Sequence, residues 1–208
     1  VPQRGQDSRW EPHNGLRVAF VGAGQMARHH LNVVARQNAV VVGVHDREAG
    51  RAKEFAGLAG APMFPSIDEL IEETRPDVVH VCTPPGAHFD AAYAALNGGA
   101  HIYVEKPFAL TVEDARALLD VASAQRRIVC AGHQLLRDPA FETLVARAAE
   151  LGTLVQVDSD FAFQPVRMHG ARTRARALVQ HTVDILPHPL YSLVALLERF
   201  ASPGSIID

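Results

Sequence analysis

Several short stretches of this 208-residue chain carry residue types that can do chemistry together. "VGAGQMA", Val21 to Ala27, sets Gly22 and Gly24 two apart, with the small Ala27 three further on. That spacing suits a strand that turns sharply into a helix. Gly22 permits the turn, Gly24 lets a pyrophosphate approach the backbone, and Ala27 allows close helix packing. Gln25 and Met26 then open the helix, where free N–H groups and the helix dipole favour phosphate. Asp46 ends the next apolar run, at the offset of about 20 residues expected of a carboxylate on the ribose hydroxyls. A carboxylate there repels a 2′-phosphate and favours NAD, while the adjacent Arg47 leaves room for NADP. "CTPPGAH", residues 82 to 88, puts Thr83, Pro84 and His88 after another apolar run. These three, with Glu105 and Lys106 further on, are candidates for the cofactor site at the same carboxyl edge, though by composition alone the stretch is equally a turn with a surface histidine. "EKP" ends the run "HIYV" on Glu105 and Lys106, charges that are seldom buried unless paired. They are either a solvated strand end or a working edge. In the second case the Lys106 ammonium stands at the nicotinamide end of a cofactor, orienting a substrate hydroxyl or stabilising alkoxide charge. Pro107 would fix the direction of the lysine, a cis bond being one way to do so. Asp184 and His188 are four apart and would share a face if one helix held both, the carboxylate raising the imidazole's basicity. Pro187 and Pro189 flank the histidine, so a helix that starts near Pro187 is equally compatible with the sequence.

The elements that must position these residues alternate along the chain. "LRVAFV", "AVVVGVHD", "APMF", "DVVHVC", "AHIYV" and "RIVCAG" read as six strands. Between most of them lie stretches with helical spacing. "SIDELIEE" opens on Ser66 with Glu69 three residues on, a capping box, and Thr111 caps "VEDARALLDVASAQ". Strands apolar on both faces, alternating with amphipathic helices, predict a doubly wound α/β fold with a parallel sheet and ligands at the carboxyl edge. After about Gly132 the rhythm changes. "DPAFETLVARAAELG" reads as one helix stopped by Gly152, "TLVQVDSDFAF" as a half-exposed strand, and "PLYSLVALLERF" as a last amphipathic helix. The expected organisation is a loose arm over residues 1–14, a dinucleotide-binding Rossmann domain over 15–133, and the start of an incomplete α+β substrate and oligomerisation domain over 134–208.

Composition narrows the function classes. At 48% hydrophobic and 21% charged the chain is ordinary globular material. A net charge of −3 gives no reason to expect nucleic acid or an anionic membrane as partner. Cys82 and Cys130 are too few and too widely spaced for a disulfide framework or a metal site, and read as buried free thiols of a cytoplasmic protein. No stretch reaches the ~20 apolar residues needed to span a bilayer.

Taken in order, "VGAGQMA", "HD", "CTPPGAH", "EKP", "GHQLLRDPAF" and "DILPH" resemble the Gfo/Idh/MocA oxidoreductases, a family that includes glucose–fructose oxidoreductase and inositol dehydrogenase. The resemblance covers residues 16 to about 163 well. It implies a Rossmann domain followed by an open α+β domain, with NAD(P) as cofactor. The implied substrate is a sugar, cyclitol, sugar acid or sugar nucleotide hydroxyl. It also implies catalytic roles for Lys106, Asp184 and His188, with His188 as acid/base. This sequence departs from the family's pattern at Leu186, where a glycine is usual, and at Leu135 and Leu136, where relatives carry arginine. Arg167, Arg172, Arg174 and Arg176 read as a solvated loop, the alternative being a clamp for an anionic substrate such as a sugar acid or sugar nucleotide. The second reading of the whole is a non-catalytic dinucleotide-binding module derived from the same family. Self-association is expected of the partial second domain.

Overall fold

The computed structural model describes residues 15–152, 154–160 and 185–200. Backbone contacts divide the chain into two compact units, residues 1–130 and 131–208. The sheet comprises β1 (Leu16–Val21), β2 (Ala39–His45), β3 (Val78–Val81), β4 (His101–Val104) and β5 (Val129–Ala131), in the order β2-β1-β3-β4-β5. The β1–β2, β1–β3 and β3–β4 pairs are all parallel. Helices α1 (Gln25–Val34), α2 (Ala49–Ala59), α3 (Ile67–Thr74), α4 (His88–Asn97) and α5 (Val112–Ala124) connect them. β1 lies inside the sheet between β2 and β3, and both its faces are apolar, as a parallel strand covered on both sides requires.

The period-2 alternation of each strand sorts its side chains between two cores. Ala19, Val21, Val79, Val81, Ile102 and Val104 face one way, against Leu70 of α3, Leu96 of α4 and Leu118 of α5. Val18, Phe20 and Val44 face the other way, against Ala27 of α1 and Phe55 of α2. There Phe20 and Phe55 meet edge to face, with ring centroids 5.2 Å apart. The caps follow the sequence. Ser66 Oγ accepts from the Glu69 N–H at 3.2 Å and donates to Glu69 Oε1, and Thr111 Oγ1 accepts from the Asp114 N–H at 3.0 Å.

Two expectations are corrected here. "APMF" is not a strand but a single parallel bridge between Met63 and Val44. Val44 N–H donates to Pro62 O and Phe64 N–H to Val44 O, and the ladder goes no further. Pro62 and Pro65 lack the N–H groups that would extend it. The sheet therefore has five strands. Cys82 is buried as expected, but Cys130 is exposed, because it lies on the edge strand β5.

In the second unit a 3₁₀ turn (Gln134–Arg137) leads into α6 (Pro139–Arg147). Asp138 caps α6, its Oδ1 accepting from the Ala140 N–H at 2.8 Å, and Pro139 takes the first position, where its missing N–H costs nothing. The predicted single helix tightens to 3₁₀ over Ala148–Leu151, and Gly152 ends it at φ +77°. Residues 154–160 form no regular element, and Val155 is 94% exposed. The strand expected there is not formed over those residues, which pair with no strand among the described residues. α7 (Pro187–Phe200) starts at Pro187, which settles the choice between the two helix starts. Asp184 and the four arginines of the expected loop lie outside the described residues. Among the described residues no helix is long and apolar enough to cross a membrane.

Candidate functional site

The carboxyl edge of the sheet opens into a cavity of about 630 Å³. Gly22, Gly24, Gln25, Met26, Asp46, Arg47, Thr83 and Pro84 all line it. Its floor is the turn from β1 into α1. Gly22 sits at φ +91°, and a Cβ there would lie 2.6 Å from the Cys82 carbonyl carbon, so only glycine fits against the β3 end. A Cβ on Gly24 would meet nothing within 4 Å, which leaves that backbone open to a ligand. The α1 N-terminus has no side-chain cap, so its first N–H groups face the opening.

Asp46 ties the site together. Its Oδ2 accepts from the Ala23 N–H and its Oδ1 from the Glu48 N–H, each at 2.8 Å, and Arg51 Nε stands 3.7 Å from Oδ1. Each carboxylate oxygen has a second lone pair, so the group can anchor the glycine turn and still accept from ribose hydroxyls. Thr83 Oγ1 is buried on the cavity wall with no hydrogen-bond partner among the described residues. A buried hydroxyl without a partner is costly unless a ligand satisfies it. The open glycine backbone, the uncapped helix and this orphaned hydroxyl all fit a dinucleotide.

Glu105, Lys106 and His88 do not line this cavity. Lys106 follows directly on β4, its peptide to Pro107 is cis, and both its neighbours are anchored by histidines. On one side Glu105 is 6% exposed, and its Oε1 lies 2.9 Å from His30 Nε2 while its Oε2 accepts from the Lys106 N–H at 3.2 Å. Burial pushes the Glu105 carboxyl up. The His30 hydrogen bond and charge, with the Lys106 N–H and ammonium, more than offset this and hold it below its ordinary value. An ionised carboxylate only accepts, so His30 Nε2 carries a proton. On the other side His88 is 1% exposed, with Nδ1 2.8 Å from Pro107 O and Nε2 2.8 Å from Thr83 O. His88 is thus neither a surface residue nor a cavity-lining one: it links the loop after β3 to the loop after β4.

Sequence reading missed His30, His80, Tyr103, Arg51 and Tyr191. His30 Nδ1 lies 2.9 Å from His80 Nδ1, and His80 stacks on Tyr103 with centroids 5.2 Å apart. Burial, with the His30 charge, lowers the His80 pKa to about 4, against a smaller upward pull from Glu105. Burial also raises the Cys82 thiol, which lies 3.6 Å from His30 Nδ1, so it is inert rather than reactive. The available signal was the alternation in "VVHV" and "HIYV", which places His80 and Tyr103 on one face.

In the second unit His188 is 7% exposed near the start of α7, and its Nδ1 lies 2.7 Å from the Tyr191 hydroxyl. Asp184, its expected partner, lies outside the described residues. Among the described residues no group of histidines, cysteines and carboxylates could hold a metal ion.

A model of an oxidoreductase family with an NAD-binding Rossmann fold, Gfo/Idh/MocA, matches residues 16–133. UDP-N-acetylglucosamine 3-dehydrogenase of Acidithiobacillus ferrooxidans is 35% identical over 129 residues, covering 62% of this chain and 40% of that protein. Inositol 2-dehydrogenase 3 of Saccharopolyspora erythraea is 30% identical over 143 residues, 66% of this chain and 42% of that protein. The crystal structure of GenD2 from gentamicin A biosynthesis, in complex with NAD, shares the fold at a TM-score of 0.75 and 24% identity, over 91% of this chain and 56% of that one. This chain thus spans well under two thirds of the length of these relatives. The family match takes in the whole sheet, the glycine turn and the lysine after β4, and the chain belongs to the Gfo/Idh/MocA oxidoreductase family.

Proposed function

We propose that this protein transfers hydride between NAD and the hydroxyl-bearing carbon of a sugar, cyclitol or sugar nucleotide. The observation that carries the reading is the cavity at the carboxyl edge. Its glycine backbone is open to a phosphate, Asp46 keeps acceptor capacity for a ribose, and Thr83 lacks a partner until a ligand arrives. The substrate class is supported by the relatives named for UDP-N-acetylglucosamine and inositol dehydrogenation.

The nicotinamide, when bound, supplies the hydride acceptor. This chain's residues do the rest. Gly24 and the α1 N-terminus take the pyrophosphate, and Asp46 takes ribose hydroxyls. Arg47 and Arg51, which also line the cavity, would allow a 2′-phosphate as the lesser alternative. The Lys106 ammonium holds the substrate oxygen and stabilises charge as its proton leaves. His188 takes that proton and returns it in the reverse direction. Self-association through the second unit belongs to the same proposal, and sedimentation reads it directly.

Calorimetric titration with NADH and NADPH, followed by reduced-cofactor absorbance over UDP-N-acetylglucosamine, myo-inositol and glucose 6-phosphate, tests the reading. Tighter binding of NADH and turnover of one substrate are expected. Lys106→Ala should lose turnover by on the order of 100-fold or more with NADH affinity kept. NADH binding without turnover of any substrate would instead favour the non-catalytic module.

A further inference from the structure

Two carboxylates and two guanidiniums gather where β2 runs into α2, and the structure pairs them unequally. Asp46, Arg47 and Arg51 line the dinucleotide cavity, whereas Glu48 does not. Glu48 directly precedes α2, yet its side chain does not cap the helix. It turns instead to Arg51, three residues on, where Oε1 pairs with Arg51 Nη2. Arg51 Nε stands 3.7 Å from Asp46 Oδ1. Among the described residues these two carboxylates are the ion-pair partners of Arg51. An arginine in the first turn of a helix opposes the positive end of the helix dipole, and the two carboxylates compensate it. We propose that Glu48 is a specificity-determining residue: by pairing with Arg51 it withholds that guanidinium from a ligand, and so makes the site take NAD in preference to NADP.

The proposal rests on the reading of this cavity as the dinucleotide site and deepens it. NADP differs from NAD by a 2′-phosphate, a group that carries close to two negative charges near neutral pH. An arginine beside the acid that takes the ribose is what accommodates such a phosphate. Arg51 has that place, but its guanidinium serves a phosphate only by giving up Glu48. The pair is half exposed, 45% at Arg51 and 59% at Glu48, so it adds little to the stability of the fold. What it settles is where the guanidinium points. The two contributions of Glu48 are separable. Its backbone N–H donates to Asp46 Oδ1 at 2.8 Å, and substitution of the side chain keeps that bond. The other Asp46 oxygen is held by the Ala23 N–H, which no change at Glu48 touches. The side chain alone controls Arg51.

Calorimetric titration of the full chain with NADH and NADPH tests this without turnover, NADPH being read as a competitor of NADH where it binds weakly. The wild type should bind NADH more tightly. Glu48→Gln keeps the shape and removes the charge. It should raise NADPH affinity about 5-fold, the factor given by about 1 kcal/mol at the upper end for an exposed charge pair, and leave NADH affinity within about 2-fold. Arg51→Gln alone should change NADPH affinity little, because the guanidinium is already withheld. Combining Arg51→Gln with Glu48→Gln should abolish the gain, and salt should shrink it. Three results overturn the proposal: a wild type that prefers NADPH, no NADPH gain in Glu48→Gln, or the same gain with Arg51 replaced. Should Glu48→Gln not fold, Glu48→Ala carries the same expectations. A wild type that binds neither nucleotide overturns the reading of the cavity itself and the proposal with it. That failure is distinguishable, since it is seen before any variant is made.

Discussion

The glycine turn of the first unit and the His188–Tyr191 turn of the second place their working groups by opposite means. At Gly22 to Ala27 the groups aimed at a ligand are backbone N–H groups, and what the turn demands of its side chains is that they be absent or small. At the start of α7 the groups of the proposed site are side chains, and other side chains contact them: the Tyr191 hydroxyl on His188 Nδ1, and the His133 ring on Tyr191. The first kind of site breaks when atoms are added, and the second when a single atom is removed. The segment around Lys106 combines both. His88 grips the backbone carbonyl of Pro107, and His30 grips the Glu105 side chain.

Gly22→Val should have the largest effect and breaks the comparison if it does not. A side chain there needs φ +91° and meets the Cys82 carbonyl carbon at 2.6 Å. Backbone strain and overpacking together cost about 3 kcal/mol of stability. NADH affinity in calorimetry should fall by on the order of 100-fold, because a displaced turn no longer aims its N–H groups at the pyrophosphate. Affinity near wild type would mean that the turn is not the nucleotide floor.

His80→Phe comes next and sharpens the comparison at the intermediate site. His80 is held near pKa 4 when folded, against 6.5 unfolded, so between those values the unfolded chain binds the proton the native chain refuses. Its contribution is fully present above pH 6.5 and is lost as pH falls toward 4, amounting to about 3 kcal/mol at roughly 1.4 kcal/mol per unit. Urea midpoints from pH 7 to pH 4 should fall less steeply in the variant. A residual slope should remain from His101 and His133, both also lowered by burial. The depressed Glu105 pKa adds a loss only at the acid end, below its unfolded value. Equal slopes in the two proteins would deny that a neutral, buried His80 supports Glu105 through His30.

The smallest effect is expected of Thr83→Val, which removes the orphaned hydroxyl and keeps the shape. The ligand-free protein should be as stable as wild type or slightly more so, because an unpaired buried donor is deleted. NADH affinity should fall about 5- to 10-fold, the value of roughly 1 kcal/mol for one hydrogen bond. A loss of stability without loss of affinity would show that the hydroxyl serves the fold rather than the ligand.

Legibility followed the distance over which each interaction acts. The Ser66 and Thr111 caps, the glycine turn and the Asp46 offset are written within a few residues or one β-α-β unit, and their local chemistry reappears in the structure. "APMF" has strand-like composition, but its flanking prolines deny it a ladder. In the sequence His88 is open to two readings, a cofactor contact or a surface residue, yet its ring nitrogens meet carbonyls five positions before it and nineteen after it. His30 and Glu105 are 75 positions apart, and the local pattern around either residue is silent about the other.

The amino-acid sequence by itself determined the alternation of strands and helices, the carboxyl edge as the place for a ligand, and the residues of the glycine turn, because periodicity and steric rules act locally. Only the tertiary structure decided which titratable groups meet. It buried Glu105 against His30, set His30 against His80, and turned His88 inward to bridge two loops. It also set Tyr191 between His133, Leu135 and His188. A hydrogen bond or a burial-shifted pKa depends on angstrom-scale positions of groups brought together by the sheet and its helices, and no local spacing contains them.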